Sequence, residues 1–167
     1  MQNEDGELDD VDVRILLILQ DEARITMRNP GARVGLSAPA VAERVRRLEQ
    51  RGVVRGYRAE VAPARVGLPV VAFLSVGMSR DVRPSPRLES NIGGINEVVE
   101  CYRITGEDAY LLKVAVADMD ALRDVIDRVS EYGPVKTSVV LSVPKWSAPL
   151  EPRVRRPSGP VFRHGAD

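Results

Sequence analysis

The sequence predicts an α+β protein: an N-terminal winged helix-turn-helix followed by a βαββαβ ferredoxin-like antiparallel sheet domain. Three observations carry that prediction. Apolar residues recur at helical spacing through the first 51 positions. From residue 69 onward the period changes to short β-prone runs alternating with two helical stretches. Arginine is concentrated in one block: residues 24–58 hold nine arginines against Glu43 and Glu49, while residues 1–22 hold eight acids against Arg14. The chain's net charge is zero, so that block is a local electrostatic footprint. Its other reading is a solvated helical face. Arginine without lysine leans toward phosphate, because the guanidinium fork matches phosphate oxygens.

Residues 8–22 form the first expected helix, with Leu8, Val11, Ile15, Leu16 and Leu19 on one face. Asp9, Asp10 and Asp12 sit where the helix dipole favours negative charge. Residues 37–51 form another helix, with Ser37 as N-cap, Pro39 in the first turn and Gly52 as the stop. Val41, Val45 and Leu48 make its apolar stripe. The turn Val34-Gly35-Leu36 precedes it, as a helix-turn-helix requires. Residues 53–61 are β-prone and suit a strand pair, a wing. Pro63 to Gly67 reads as linker. Strands are expected at 69–76, 98–104, 110–116 and 135–143. Helices are expected at 85–92 and 118–132, the latter stopped by Gly133-Pro134. Strand, helix, strand, strand, helix, strand is the split βαβ order, with both helices on one face.

The domain map is then an acidic extension (1–7), a winged helix-turn-helix (8–62), a linker (63–68), a sheet domain (69–145) and a Pro/Arg-rich tail (146–167) expected to be disordered. The acidic start lacks the basic and apolar regions of a signal peptide. No apolar run approaches the ~20 residues that span a bilayer, so the expected location is the cytoplasm, with no membrane partner. A single cysteine, Cys101, excludes an internal disulfide and is expected to be a small buried apolar residue. The one histidine, His164, lies in the tail. Neither a Cys/His metal site nor a catalytic triad has the residues it needs, so no enzyme activity, metal or cofactor is expected.

Several segments, in order, resemble the Lrp/AsnC (leucine-responsive/asparagine-regulator) family of transcription regulators. They are Leu8-Asp9-x-x-Asp12-x-x-Ile15-Leu16, Arg33-Val34-Gly35-Leu36-Ser37, and Val41-x-x-Arg44-Val45-x-Arg47-Leu48-Glu49-x-x-Gly52-Val53-Val54. Gly56-Tyr57, Tyr102-x-x-Thr105-Gly106-Glu107-Asp108, Leu111-x-Lys113-Val114 and Thr137 to Ser142 continue the likeness to about Pro144. The resemblance implies a sheet domain that senses a free amino acid or related metabolite. It implies a homodimer through those domains, in some members an octamer, and double-stranded DNA as partner. One departure stands out. Where the family carries a Glu-Leu-Ala helical stretch, this chain has Asn29-Pro30-Gly31, a turn sequence. The first helix of the helix-turn-helix is therefore expected to shrink to about two turns or less.

In the major groove the first turns of the recognition helix meet base edges. The candidates are Ser37, Ala38, Pro39, Ala40, Glu43 and Arg44. Ser37 is either a phosphate donor or its own helix's cap. Pro39 and Ala40 suit a thymine methyl. Arg44 either reads guanine or holds a phosphate. Glu43 either accepts from cytosine or pairs with Arg47 four residues on. Arg28, Arg46, Arg47, Arg55 and Arg58 suit phosphate, which supplies affinity without sequence information. A symmetric dimer sets two such helices about 34 Å apart.

The family likeness places the effector between dimers, near the turn of Thr105, Gly106, Glu107 and Asp108. Gly106 offers an N–H to a carboxylate, and Glu107 or Asp108 pairs with an ammonium. The same residues also make an ordinary β-turn. Tyr132, Gly133, Thr137 and Ser138 are expected to face that cleft. Two other functions stay open. One is a sensing or interaction protein with a degenerate DNA-binding half. The other is a tetrapyrrole-processing decarboxylase of the same architecture, against which the absence of core histidine argues.

Overall fold

The computed structural model of the chain describes residues 8–21, 34–77 and 86–152. The Asn29-Pro30-Gly31 stretch and Arg28 lie outside them. The chain divides into two compact units, Met1–Arg58 with Lys145–Asp167, and Ala59–Pro144.

In the first unit, helix α1 spans Asp10–Asp21. Asp9 caps it: its carboxylate accepts from the backbone N–H of Val11 at 2.9 Å and of Asp12 at 2.8 Å. The Asp9 N–H in turn donates to the Asp12 carboxylate at 3.3 Å. This reciprocal cap satisfies N–H groups that have no partner within the helix. Helix α2 spans Ala38–Gln50 and begins at Ser37. The turn before it passes through Gly35 at φ +72°, a conformation that other residues adopt at a cost. Ile15, Leu16, Leu19, Val34, Val41 and Leu48 form the buried core of this unit, with Leu8, Val11, Ile18, Leu36, Val45 and Val54 packed around it.

Among the described residues no strand forms within 53–61, where the wing hairpin was expected. The Tyr57 hydroxyl donates to Glu49 of α2 at 2.9 Å, which ties this segment to the helix. The expected linker contains a 3₁₀ turn, Pro63–Val66.

The second unit is a four-stranded antiparallel sheet of order β2-β3-β1-β4. β1 is Val70–Gly77, β2 Val98–Arg103, β3 Asp108–Val116 and β4 Val135–Val139. Helix α3 (Pro86–Asn91, followed by a 3₁₀ turn to Gly94) joins β1 to β2, and α4 (Met119–Ser130) joins β3 to β4. Asp118 caps α4 by accepting from the Ala121 N–H at 2.8 Å. One face of the sheet, carrying Ala72, Leu74, Val76, Leu112, Val114 and Val116, packs on Leu88, Leu122, Val125 and Val129 of the helices. The register gives the other face Val71, Phe73 and Ser75 beside Leu111 and Lys113.

Two expectations change here. β4 stops at Val139 rather than Val143, because β1 begins at Val70 and the last bond is from Val140 N–H to the Val71 carbonyl at 2.9 Å. Cys101 is exposed rather than buried, since β2 is an edge strand. Partial burial and the nearby Glu89 carboxylate still push its thiol pKa up, so it is not an activated nucleophile.

Candidate functional site

Ser37 begins helix α2. Its hydroxyl accepts from the Ala40 N–H at 3.4 Å, so it caps its own helix. Ser37, Ala38 and Pro39 are exposed and Ala40 half-buried, leaving the first turn accessible.

Arg44 does not project freely. Its Nη1 donates to Asp9 Oδ2 at 2.6 Å and to Asp12 Oδ1 at 2.8 Å. The two carboxylates at the start of α1 therefore clamp α2. Asp12 is the buried charged residue among those described, at 7 % exposure. A buried carboxylate requires a partner, and Arg44 supplies it. Desolvation pushes the Asp9 pKa up, but the Asp12 N–H and the Arg44 guanidinium together outweigh it and hold the group below the usual carboxylate range. The Asp9 and Asp12 bonds raise the Arg44 pKa further.

Glu43 pairs with two arginines. Arg46 binds it bidentately, Nε to Oε2 at 2.9 Å and Nη2 to Oε1 at 2.7 Å. Arg47 Nε adds a bond to Oε1 at 3.1 Å. The Arg46 bonds, then that of Arg47, lower the Glu43 pKa to about 2. The exposed face of α2 thus carries a Glu-Arg-Arg cluster of net charge +1. Arg55 and Arg58 are exposed and have no ion-pair partner among the described residues. Arg28 lies outside the described residues.

In the sheet unit, the turn Thr105 to Asp108 is closed by the Ile104 N–H donating to the Ala109 carbonyl at 3.0 Å. Gly106 has φ +120°. Lys136, which the sequence reading did not single out, reaches from β4 to Asp108 at 3.2 Å and to Glu107 at 4.0 Å. Gly133 belongs to the same end of the sheet. A side chain there would meet the Gly77 carbonyl at 2.7 Å, and Gly77 is the partner of Asp108. Thr105, Gly106, Glu107, Asp108, Gly133 and Lys136 therefore gather at one end.

The other expected effector residues do not join them. Tyr132 turns toward α3, where its hydroxyl accepts from Asn91 Nδ2 at 3.1 Å. It lines a separate shallow cleft of about 440 Å³ with Ser90, Asn91, Gly94, Ile95, Arg128 and Glu131. Thr137 and Ser138 pair with Leu74 and Phe73, three and four residues along β1 from Gly77. At ~3.4 Å per residue that is about 10 Å or more from the turn. Alternation along the strand also puts Thr137 and Ser138 on opposite faces.

Two family models match the chain: the AsnC-type helix-turn-helix domain over residues 8–49 and the Lrp/AsnC ligand binding domain over residues 71–150. The HTH-type transcriptional regulator LrpC of Bacillus subtilis is 34 % identical over 81 % of this chain and 92 % of its own length. The regulator LrpA of Mycobacterium tuberculosis is 38 % identical, over 78 % and 86 %. A feast or famine regulatory protein from M. tuberculosis, solved in complex with L-methionine, superposes with a TM-score of 0.79 at 33 % identity. It covers 87 % of this chain and 99 % of that one.

Proposed function

The chain belongs to the Lrp/AsnC family of transcription regulators, and from that premise we propose that it binds double-stranded DNA as a homo-oligomer whose assembly or affinity responds to a free amino acid. Its relatives are regulators by name, so the decarboxylase reading falls away and the protein is a regulator, not an enzyme. Among the described residues no helix is long and apolar enough to cross a membrane. The cytoplasm, where the duplex is, remains the proposed location.

The observation that carries the DNA reading is the accessible, serine-capped first turn of α2 with arginines on its exposed face. Ala38, Pro39 and Ala40 enter the major groove. Arg46, Arg47, Arg55 and Arg28 hold phosphates, exchanging the Glu43 contact for the duplex where they have one. Arg44 acts as a positioning residue, since its donors are directed at Asp9 and Asp12. The reading with a degenerate DNA-binding half rested on Asn29-Pro30-Gly31, and no described residue favours it.

The effector reading is supported by the turn end of the sheet. Lys136 and the Gly106 N–H suit a carboxylate, and Glu107 and Asp108 suit an ammonium. These groups are exposed or half-buried, so one copy offers half a pocket, and a neighbouring copy completes it. The sheet face opposite the helices suits a second copy. Val71, Phe73 and Leu111 form its half-buried apolar centre, and Glu100 pairs with Lys113 at 3.0 Å across it. Opposite charges on one patch make it self-complementary under two-fold symmetry. Dimers then join to an octamer through the effector ends.

Selection of bound genomic DNA, with and without an amino-acid mixture, tests the reading. A reproducible set of sites that shifts with the mixture is expected. No enrichment over input DNA would overturn the DNA reading. Sites indifferent to every amino acid, together with no thermal stabilisation by any, would overturn the effector.

A further inference from the structure

The helical unit is joined to the sheet unit at two places. The chain leaves it between Arg58 and Ala59 and re-enters it between Pro144 and Lys145. The first connection is anchored on the helical side by Val54, which packs on that unit's core, and by the Tyr57 bond to Glu49. The second is anchored by one side chain. The Gln20 carboxamide of α1 donates from Nε2 to the Leu150 carbonyl at 3.0 Å and accepts from the Leu150 N–H at 2.7 Å. A further donation from Gln20 to its own Leu16 carbonyl, at 3.3 Å, fixes the amide's orientation. Leu150 is 78 % exposed and residues 141–151 are all exposed, so apolar burial does not hold this segment.

On the sheet side both connections start from paired backbone. Val70 opens β1, and the Val140 N–H donates to the Val71 carbonyl at 2.9 Å. The second connection, from Val140 to Leu150, contains Pro144 and Pro149. Proline fixes φ and keeps the residue before it out of the helical region, so this stretch is stiffer than a Gly/Ser linker. Extended chain covers at most ~3.6 Å per residue, which limits the connections to about 47 Å (Tyr57 to Val70) and about 36 Å (Val140 to Leu150). A single tether is a pivot and leaves every rotation open. Two short tethers at separate points restrict rotation toward one axis.

We propose that Gln20 is a latch. By holding Leu150 it makes the 141–150 segment a second tether, which narrows the orientations open to the helical unit and, with them, the half-site spacings that a dimer accepts. The consequence for half-sites rests on the regulator reading above; the narrowing itself does not. A dimer with two recognition helices binds half-sites a whole number of DNA turns apart. The more firmly each helix is placed, the more a spacing that is half a turn wrong costs.

The test compares the full chain with Gln20→Ala and with Leu150→Pro, melting curves confirming the fold. Alanine is the better helix former, so α1 is kept. Proline at 150 removes the N–H that Gln20 accepts from and leaves Gln20 in place. Spin labels on Cys101, exposed on β2, and on Arg14→Cys, exposed on α1, report the distance between the units, with labelled chain diluted in unlabelled chain. Both latch variants should widen the distance distribution about two-fold, as expected when one of two tethers is released. Equal widths with and without the latch would overturn it. In a second arm, affinity is measured for a selected duplex with paired half-sites and for the same duplex with about five base pairs, half a turn, inserted between them. The insertion should cost the unaltered chain about 3-fold more than it costs either variant, while a duplex with a single half-site binds all of them alike. An equal penalty would overturn the effect on spacing. Failure of the unaltered chain to bind any duplex would instead overturn the regulator reading, and the distance distributions would still decide the latch.

Discussion

The sheet unit and the helical unit hold their shape by different means. Among the described residues the sheet unit buries thirteen residues in one cluster between a four-stranded sheet and two helices. The described residues of the helical unit include six buried apolar side chains and, beside them, the Asp12 carboxylate bound to Arg44. Beside these apolar residues, a few polar contacts help to define the fold. In this chain those contacts lie on α2, the helix proposed to enter the groove, so on that reading its charges serve structure and recognition together.

The largest expected effect comes from the bigger core. Leu112→Ala, at a site with no exposure, should cost about 2–5 kcal/mol. Leu48→Ala in the helical unit removes the same atoms from a shallower core and should fall at the low end of that range. Denaturant unfolding of the two variants measures both. Equal losses would break the contrast between the cores. Gly133→Ala comes next, with about 1–3 kcal/mol expected. Its φ is +156°, and a Cβ would stand 2.7 Å from the Gly77 carbonyl. The same close approach closes the turn end of the sheet, so amino-acid binding should weaken along with stability, as calorimetry would show.

Arg44→Ala should also destabilise, by about 1–3 kcal/mol. The lower half of that span is favoured because the arginine side chain is 32 % exposed and solvent screens it. Asp9 contributes with a definite sign. Its pKa is lowered in the folded state, so its share of stability is present above the ordinary carboxylate value and is lost as pH falls through the depressed one. If Arg44→Ala left the melting temperature unchanged while relaxing specificity at one guanine, the clamp would be wrong and the base contact right.

The fold was legible because periodicity reports which face is buried. The strand order, the Ser37 cap and the stop after α4 follow from residue spacing and capping chemistry. What spacing did not reveal is partner choice across elements. Arg44 and Arg46 look alike in the sequence, yet one meets a buried acid 32 residues away and the other an acid three residues away. Asp9 and Asp12 looked like complements to the helix dipole, and their shared appetite for a cation was the missed signal. Lys136 escaped notice because strand register, which brings it to Asp108, is a tertiary property. Thr137 and Ser138 were misplaced for the same reason. The wing was expected from β-propensity and from the likeness carried by Gly56-Tyr57, and neither fixes how two short strands pair.

The smallest effect sharpens the comparison most, because it separates the two duties of charge on α2. Glu43 sits between Arg46 and Arg47 on the exposed face. Its pKa of about 2 in the folded chain, below the ordinary 4.5, means that the cluster is intact above roughly pH 4.5 and is released as pH falls toward 2. At neutral pH it is therefore ionised and paired with both arginines, and on the proposed reading it competes there with phosphate. Glu43→Gln removes that competition while keeping the shape of the side chain. Affinity for DNA of any sequence should rise by about 3- to 10-fold at low salt, with a steeper salt slope, and the melting temperature should hardly change because the pairs are exposed. A fall in affinity confined to sites with cytosine at one position would mean that Glu43 reads a base. Recognition on this helix would then rest on its acid, with the arginines serving to aim it.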